Sequence, residues 1–365
     1  MLQYPHLISS EIYRASRYGA KHPLSIPRVS LAVDLIKAMG WFPEDRFVEG
    51  PIATPEQLHR FHDPDYVAAL LRAEEGNLTE AEKDRWNIGR NGNPIYPEVF
   101  RRPATAAGSS ILAAHMVRDG GTVHSPAGGT HHGRRDRASG FCFLNDPVLG
   151  ILTLLDAGIA PVVYVDLDAH HGDGVEIAFQ HDPRVTTLSI HEAGRWPRTG
   201  GLHHDLGPTV INFPVEPGFQ DDEFYYILET AILPIVQNVE PAAIVIQCGV
   251  DGLADDPMSN NVYPVAVSAL MRLAPRHIVL GGGGYNPFAV ARAWTLIWAA
   301  IDGRDGTEME LPQAARNVLK GVHWRHSLAK SPPARWFDQL IDPPNTGSIR
   351  DSIRETVRAV LNATG

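Results

Sequence analysis

The sequence predicts an α/β protein built on one doubly wound, mainly parallel sheet. Three observations carry that prediction. Short apolar, β-branched runs alternate with helical patterns from about residue 105 to 300. The clearest of these runs, Val162 to Val165, is continuously apolar, as a strand covered on both faces is. Polar segments rich in Gly, His and Asp follow the strands, where open parallel sheets bind their ligands.

Residues 1 to 27 are rich in Pro, His and Tyr and read as irregular. A helix follows Pro27, from Arg28 to Met39, with Val29, Leu31, Ala32, Leu35 and Ile36 as its apolar stripe. Thr54-Pro55-Glu56 opens a short helix with Pro at its first position, and Asp63-Pro64 does the same for Tyr66 to Glu75. Residues 76 to 97 read as a long polar loop. Thr105 to Val117 is helical and stops at Gly120-Gly121; Thr122 to Ser125 is a strand. Asn145 caps a helix from Pro147 to Asp156. Further strands are expected at Val185 to Ile190, Thr209 to Phe213, Ala243 to Cys248 and His277 to Leu280. Helices are expected at Val175 to Gln180, Asp221 to Val239, Pro264 to Ala274, Phe288 to Ala300 and Asp351 to Leu361. No linker or repeat divides the 365 residues, so a single domain, 1–365, is expected.

A formal net charge of −10 without any basic block argues against nucleic acid as a partner and tolerates cationic substrates. No apolar stretch reaches the ~20 residues of a membrane helix, and the N-terminus lacks the pattern of a secretory signal. With only Cys142 and Cys248 available, the expected setting is a reducing cytoplasm.

The chemistry centres on residues 161 to 174. The strand Val162 to Val165 turns abruptly polar with Asp166, Asp168, His170, His171 and Asp173. In extended geometry Asp166, Asp168 and His170 share a face. Ionisable groups at the end of a buried strand need a compensating ion or partner, and carboxylate with imidazole suits a divalent metal such as zinc. Three other segments join them. Gly128-Gly129-Thr130-His131-His132-Gly133 offers a general acid/base pair, with Asp166 and Asp173 as carboxylate partners. Asp251, Asp255 and Asp256, after the strand ending near Cys248, are candidates for a carboxylate ligand from a neighbouring strand. Gly281 to Gly284 lead into Tyr285, whose hydroxyl suits a developing oxyanion.

Taken together, Pro126 to His132, Ser139 to Asp146, Asp166 to Gly174, Asp256-Pro257 and Gly281 to Tyr285 resemble the histone deacetylase superfamily of zinc amidohydrolases. His22-Pro23-Leu24, Ile26 to Ser30, Asn87-Ile88-Gly89 and Ala291 to Trp298 resemble its bacterial histone deacetylase-like and acetoin-utilisation branch. The resemblance spans about residues 10 to 302 and leaves 303 to 365 as a helical extension. It implies an arginase/deacetylase-type fold with an eight-stranded, mainly parallel sheet flanked by helices. It implies Zn²⁺, with Fe²⁺ as the alternative metal, held by Asp168, His170 and Asp256. It pairs His131 with Asp166 and His132 with Asp173, and has Tyr285 polarise the scissile carbonyl. Gly140, Phe141 and Trp196 line the implied acyl tunnel, and Asp166, Asp168, His170 and Ser189 surround an implied structural K⁺. The implied substrate is an acyl-lysine protein or a small acylated amine.

Many members of the superfamily carry a rim Asp shortly before a Pro that grips the substrate backbone. Here Gly92-Asn93-Pro94 stands in its place, so weak discrimination among flanking peptide sequences is expected. An arginase-like binuclear manganese hydrolase shares the fold but wants Asp-Ala-His-x-Asp, and Gly172 occupies the last position. A non-catalytic acyl-lysine binder is expected to lack Tyr285 or a metal ligand, and both are present.

Overall fold

The computed structural model describes every residue except 1, 20, 21, 203–206, 208, 256, 257, 305, 307–309 and 365, and only the backbone of 254 and 255. Eight strands form one sheet: β1 His6–Ser9, β2 Phe47–Glu49, β3 Gly121–Ser125, β4 Val162–Asp166, β5 Val185–Glu192, β6 Val210–Val215, β7 Ala243–Gln247 and β8 Arg276–Leu280. Their order is β2-β1-β3-β8-β7-β4-β5-β6, and every ladder is parallel.

Side-chain alternation along the strands sorts the core into two layers. Val163 and Val165 of β4, with Ile244 and Ile246 of β7, pack against the helices Val29–Ala38, Val262–Leu270 and Pro287–Ile301. Val162, Tyr164 and Val245 face the opposite layer, built from Arg101–Met116, Asp146–Asp156 and Asp173–Phe179. A third apolar cluster lies beside the sheet. It joins the helix Pro64–Glu74 to Trp86, Tyr96 and the segment Ala138 to Leu144, with Phe141 and Tyr285 at its margin. This cluster supplies one wall of the site.

Local signals read from the sequence hold in detail. Thr54 and Asn145 accept backbone hydrogen bonds at the first turns of Pro55–Leu58 and Asp146–Asp156, and Asp63 does so for Pro64–Glu74. Three differences have physical reasons. β1 and β2 are runs of four and three residues at one edge of the sheet, too short to show a period. Residues 76 to 97 contain a helix, Glu80–Trp86, nucleated by a reciprocal Thr79–Glu82 cap rather than by an apolar stripe. The long helix after Asp221 is interrupted by a π turn, Leu228–Ile232, before Leu233–Val239. Pro234 has no N–H to give the preceding turn, so the hydrogen-bond ladder changes register just ahead of it. The C-terminal region also holds a helix, Gln313–Lys320, that the sequence reading did not contain.

After β8 the chain passes under β3's exit loop. A methyl group on Gly281 would lie 2.1 Å from the Pro126 carbonyl oxygen and 2.9 Å from the Trp294 ring. Backbone cannot move aside as a flexible side chain can. Gly281→Ala is therefore expected to cost about 1–3 kcal/mol, read as a lower urea midpoint with an unchanged m-value. A midpoint equal to that of the wild type would mean that the loop has slack.

Candidate active site

The site forms where the strands end. β4 delivers Asp166, and the chain beyond it carries Asp168, His170 and Asp173. The loop after β3 brings His131 and His132, the loop after β7 brings Asp251, and the loop after β8 brings Tyr285. All four loops leave the same edge of a parallel sheet, so their side chains converge.

His131 and His132 lie with ring centroids 3.9 Å apart. Their Nδ1 atoms diverge to separate carboxylates: His131 to Asp166 Oδ2 at 2.7 Å, and His132 to Asp173 Oδ1 at 2.8 Å. Both pairs are buried. A carboxylate accepts, so each Nδ1 carries the proton and each Nε2 is released. The two rings are nevertheless unequal. Burial opposes the charge on His131, but Asp166 and Asp168 outweigh it and raise the imidazole to about 9. Burial and the neighbouring His131 push His132 down to about 3, against the pull of Asp173. His131 is thus a cation and His132 a neutral base at neutral pH, the separation of protonation states that acid–base chemistry uses.

Each carboxylate is itself held. Tyr164 donates its hydroxyl to the same Asp166 oxygen that His131 uses, at 2.7 Å. Arg134 donates to Asp173 Oδ2, leaving Oδ1 to His132. The backbone of the His loop is pinned as well. Asp146 accepts from the N–H groups of Gly129 and Thr130, and Asn145 donates to the carbonyls of His131 and Gly133. Sequence reasoning passed over these supports. Tyr164 sits two residues before Asp166 on a strand, which places them on one face, so alternation is the signal that could have found it. Arg134 belongs to a loop without a period and gave no such signal.

Asp168, His170 and Asp251 offer three ligand atoms that all lie within 4.8 Å of one another. His170 Nδ1 is 3.1 Å from Asp168 Oδ1 and 2.8 Å from Asp251 Oδ2. Despite that proximity Asp251 Oδ2 is buried without a partner in hydrogen-bond geometry, while His170 Nδ1 makes its hydrogen bond to Asp168 Oδ1. The other oxygens are positioned by backbone: Ala169 N–H on Asp251 Oδ1 at 3.0 Å, and Gly283 N–H on Asp168 Oδ2 at 2.8 Å. Burial works against the Asp168 charge, yet His131 and His170 hold that carboxyl well below the ordinary range. Asp251 moves the other way, raised by burial and by Asp168. Two carboxylates and an imidazole with an undonated buried oxygen fit a divalent metal of the zinc or ferrous type. Asp256, expected as the third ligand, lies outside the described residues, as does the Asp255 side chain. Among the described residues Asp251 is the carboxylate that reaches Asp168 and His170.

Tyr285 faces the same cavity, of about 510 Å³, as His132, His170, Gly140, Phe141 and Trp196. The predicted tunnel residues thus come together. The Trp196 ring meets His132 edge-on at 4.6 Å and is 46% exposed, which places it at the mouth. Phe141 adopts φ +67°, a strained conformation for a non-glycine residue. Its N–H donates to Asn93 Oδ1 at 2.9 Å, so Asn93 fixes this wall of the cavity. Burial, with Asp251 and Asp168 nearby, raises the Tyr285 phenol far above its ordinary range and keeps it protonated. Ser189 lies next to the site on β5, where the β4–β5 register pairs it with Asp166, and its hydroxyl meets His191 Nδ1 at 2.9 Å. At position 172 a Cβ would fall 2.2 Å from Asp166 Oδ2, so the second-metal Asp of an arginase-like site has no room.

Comparison with known proteins agrees with this geometry. Residues 22–301 match the histone deacetylase domain family. The chain is 32% identical to the acetoin utilization protein AcuC of Bacillus subtilis (strain 168), over 98% of this chain and 96% of that one. It is 36% identical to histone deacetylase 8 of Xenopus tropicalis, over 76% and 78% of the two chains. The crystal structure of an HDAC homolog from Aquifex aeolicus superposes over the whole of both chains with a TM-score of 0.92 at 33% identity. An HDAC homolog complexed with SAHA superposes equally, at 32% identity. With the domain matched over most of its length and the fold shared end to end, this chain belongs to the histone deacetylase family of deacetylase hydrolases.

Proposed function

We propose that the protein is a zinc-dependent deacetylase that removes an acetyl or other short acyl group from an N-acylated lysine or a related amine. The observation that carries this reading is the histidine pair. Two imidazoles, each on its own carboxylate and pushed in opposite directions by their surroundings, sit beside a three-ligand cluster, and a tyrosine faces the same cavity. Asp168 and His170 hold the metal, with a third carboxylate from the segment 251–256. Asp251 is the one that the described geometry supports, and Asp256 the one that family resemblance supports. A bound Zn²⁺, or Fe²⁺, supplies Lewis-acid polarisation of the amide carbonyl and makes water more acidic.

The protein's own groups complete the reaction. His132 accepts a proton from the attacking water at Nε2 while its Nδ1–H stays on Asp173, which Arg134 keeps anionic. His131, charged and anchored on Asp166, favours the negative charge that develops on the former carbonyl oxygen. Tyr285 donates its hydroxyl to that oxygen. As the C–N bond breaks, His132 passes its proton to the departing nitrogen, and the amine and the carboxylic acid leave. Gly140, Phe141 and Trp196 enclose the acyl-bearing chain and exclude water from it.

Three further readings belong here. A structural K⁺ near Asp166, Asp168, His170 and Ser189 is supported by the oxygen donors that the β4–β5 register sets side by side. Inclusion of 303–365 in one domain is supported by Trp336, Leu340, Ile353, Val357 and Val360, which belong to the main apolar cluster. A cytoplasmic setting is supported by Cys142 and Cys248, both buried and unpaired; no helix among the described residues is long and apolar enough to cross a membrane.

The test is hydrolysis of a panel of acyl-lysine peptides, acetylpolyamines and small acetylated amides by purified protein, followed by mass spectrometry. Release of free amine from none of them defeats the assignment. Metal analysis should find one catalytic transition metal per chain, with near-complete loss in Asp168→Ala and retention in His132→Ala, which should be inactive. Two tightly bound transition metals per chain would favour a binuclear hydrolase instead.

Tyr285→Phe should keep the fold and the metal and lower kcat by about 10²–10³-fold, with KM little changed, since the interaction is made mainly in the transition state. Near-full kcat would make Tyr285 a packing residue.

A further inference from the structure

A second, larger cleft opens on the other side of Tyr285. Its volume is about 1080 Å³, against about 510 Å³ for the tunnel cavity, and Tyr285 lines both. One wall comes from the N-terminal segment, with Arg17 and His22. The other comes from residues beyond the family domain, with Trp324, Arg325 and His326. The cleft's described lining contains five Arg or His residues and no carboxylate. The charged side chains among them, Arg17 and Arg325, are both positive, opposite in sign to the chain's net charge of −10 with histidine neutral.

These groups are built into the fold. The Trp324 and His326 rings stack at 4.5 Å and 8°, and Trp324 rests against Trp336 of the core. His22 accepts from the Leu24 N–H at Nδ1, donates its Nε2–H to the Gly92 carbonyl at 3.0 Å and meets Phe141 edge-on at 4.5 Å. Arg17 spends one guanidinium N–H on the Ser25 carbonyl, at 3.1 Å. Neither Arg17 nor Arg325 has a carboxylate partner among the described residues, and both are exposed. Unpaired guanidinium groups beside an aromatic floor attract anionic groups carried on an extended chain. A neighbouring hollow of about 520 Å³ shares His323, Trp324 and Arg325, so the basic surface runs on from the tunnel mouth.

We propose that this cleft binds an acidic stretch of the polypeptide that carries the acyl-lysine, and so selects among substrates by charge. The inference rests on the deacetylase reading for the position of the acyl-lysine, but the binding surface stands on its own geometry. It also refines the expectation drawn from Gly92: without a backbone grip at the rim, the order of flanking residues matters little while their net charge matters.

The test compares three acetyl-lysine substrates: a peptide with Asp and Glu flanks, the same peptide with Ser and Gln flanks, and acetyl-lysine amide without flanks. The wild type should favour the acidic peptide by roughly five- to tenfold in kcat/KM at low salt, and the preference should fade as ionic strength rises. Arg17→Glu and Arg325→Glu should remove the preference and leave acetyl-lysine amide unchanged. Equal kcat/KM for the two peptides in the wild type would overturn the proposal. Fluorescence anisotropy of the labelled acidic peptide separates this surface from the activity. Salt-sensitive binding that Arg325→Glu weakens supports the cleft even where no substrate is hydrolysed, which would count against the deacetylase reading alone. Binding of inorganic polyphosphate without binding of the acidic peptide would identify a small-anion site and overturn the proposal as well.

Discussion

Negative charge buried at the ends of parallel strands is the constraint on which the rest of the site depends. Asp166, Asp168, Asp173 and Asp251 are all essentially inaccessible to water, within one small volume. Burying an uncompensated carboxylate is expensive, and like charges together more so. The fold answers with a different device for each. Asp166 receives a phenol and an imidazole, Asp173 an imidazole and a guanidinium, Asp168 two backbone N–H groups, and Asp251 one. Only the Asp168–His170–Asp251 corner keeps an oxygen without a donor. The unmet demand for positive charge is therefore concentrated at the corner proposed to hold the metal.

The same arrangement explains why two adjacent histidines behave differently. They share a loop and a class of partner, yet the charges behind them are unlike. His131 looks toward Asp166 and Asp168 with no compensating guanidinium, whereas the partner of His132 is already neutralised by Arg134. Once His131 is charged, its proximity keeps His132 neutral. The contrast thus arises from burial and one distance, with Asp166 and Asp168 tipping His131 toward charge. Neither feature is visible in the dipeptide itself.

Much of this was legible in the residues. Six of the eight strands announced themselves as apolar β-branched runs, and each chemical motif followed one of them. The strand edge made of His6–Ser9 and Phe47–Glu49 was not legible from pattern, because so few residues carry no period. The histidine–aspartate pairings are now visible as contacts across 35 and 41 residues of chain. The third carboxylate was legible only as a choice among Asp251, Asp255 and Asp256, since spacing after a strand does not say which side chain turns inward. The supports from Arg134, Asn93 and Asp146 escaped notice because loop contacts obey no repeat. The basic cleft beside Tyr285 escaped it for another reason: net charge is a sum, and a local excess of arginine and histidine disappears within it.

The strand order has a consequence for how the protein is made. β3 closes onto β8, whose residues follow it by some 155 positions, and β8 in turn bridges the two halves of the sheet. As the chain leaves the ribosome, β1, β2 and β3 can assemble only an open-edged fragment, and β4 and β5 another. The two cannot be sealed until residue 280 has emerged. Until then, strand edges that the finished molecule hides remain available for wrong pairing. Synthesis through β8 is thus the step that commits the nascent chain to its fold and brings the segments that carry the histidines, the aspartates and the tyrosine within reach of one another.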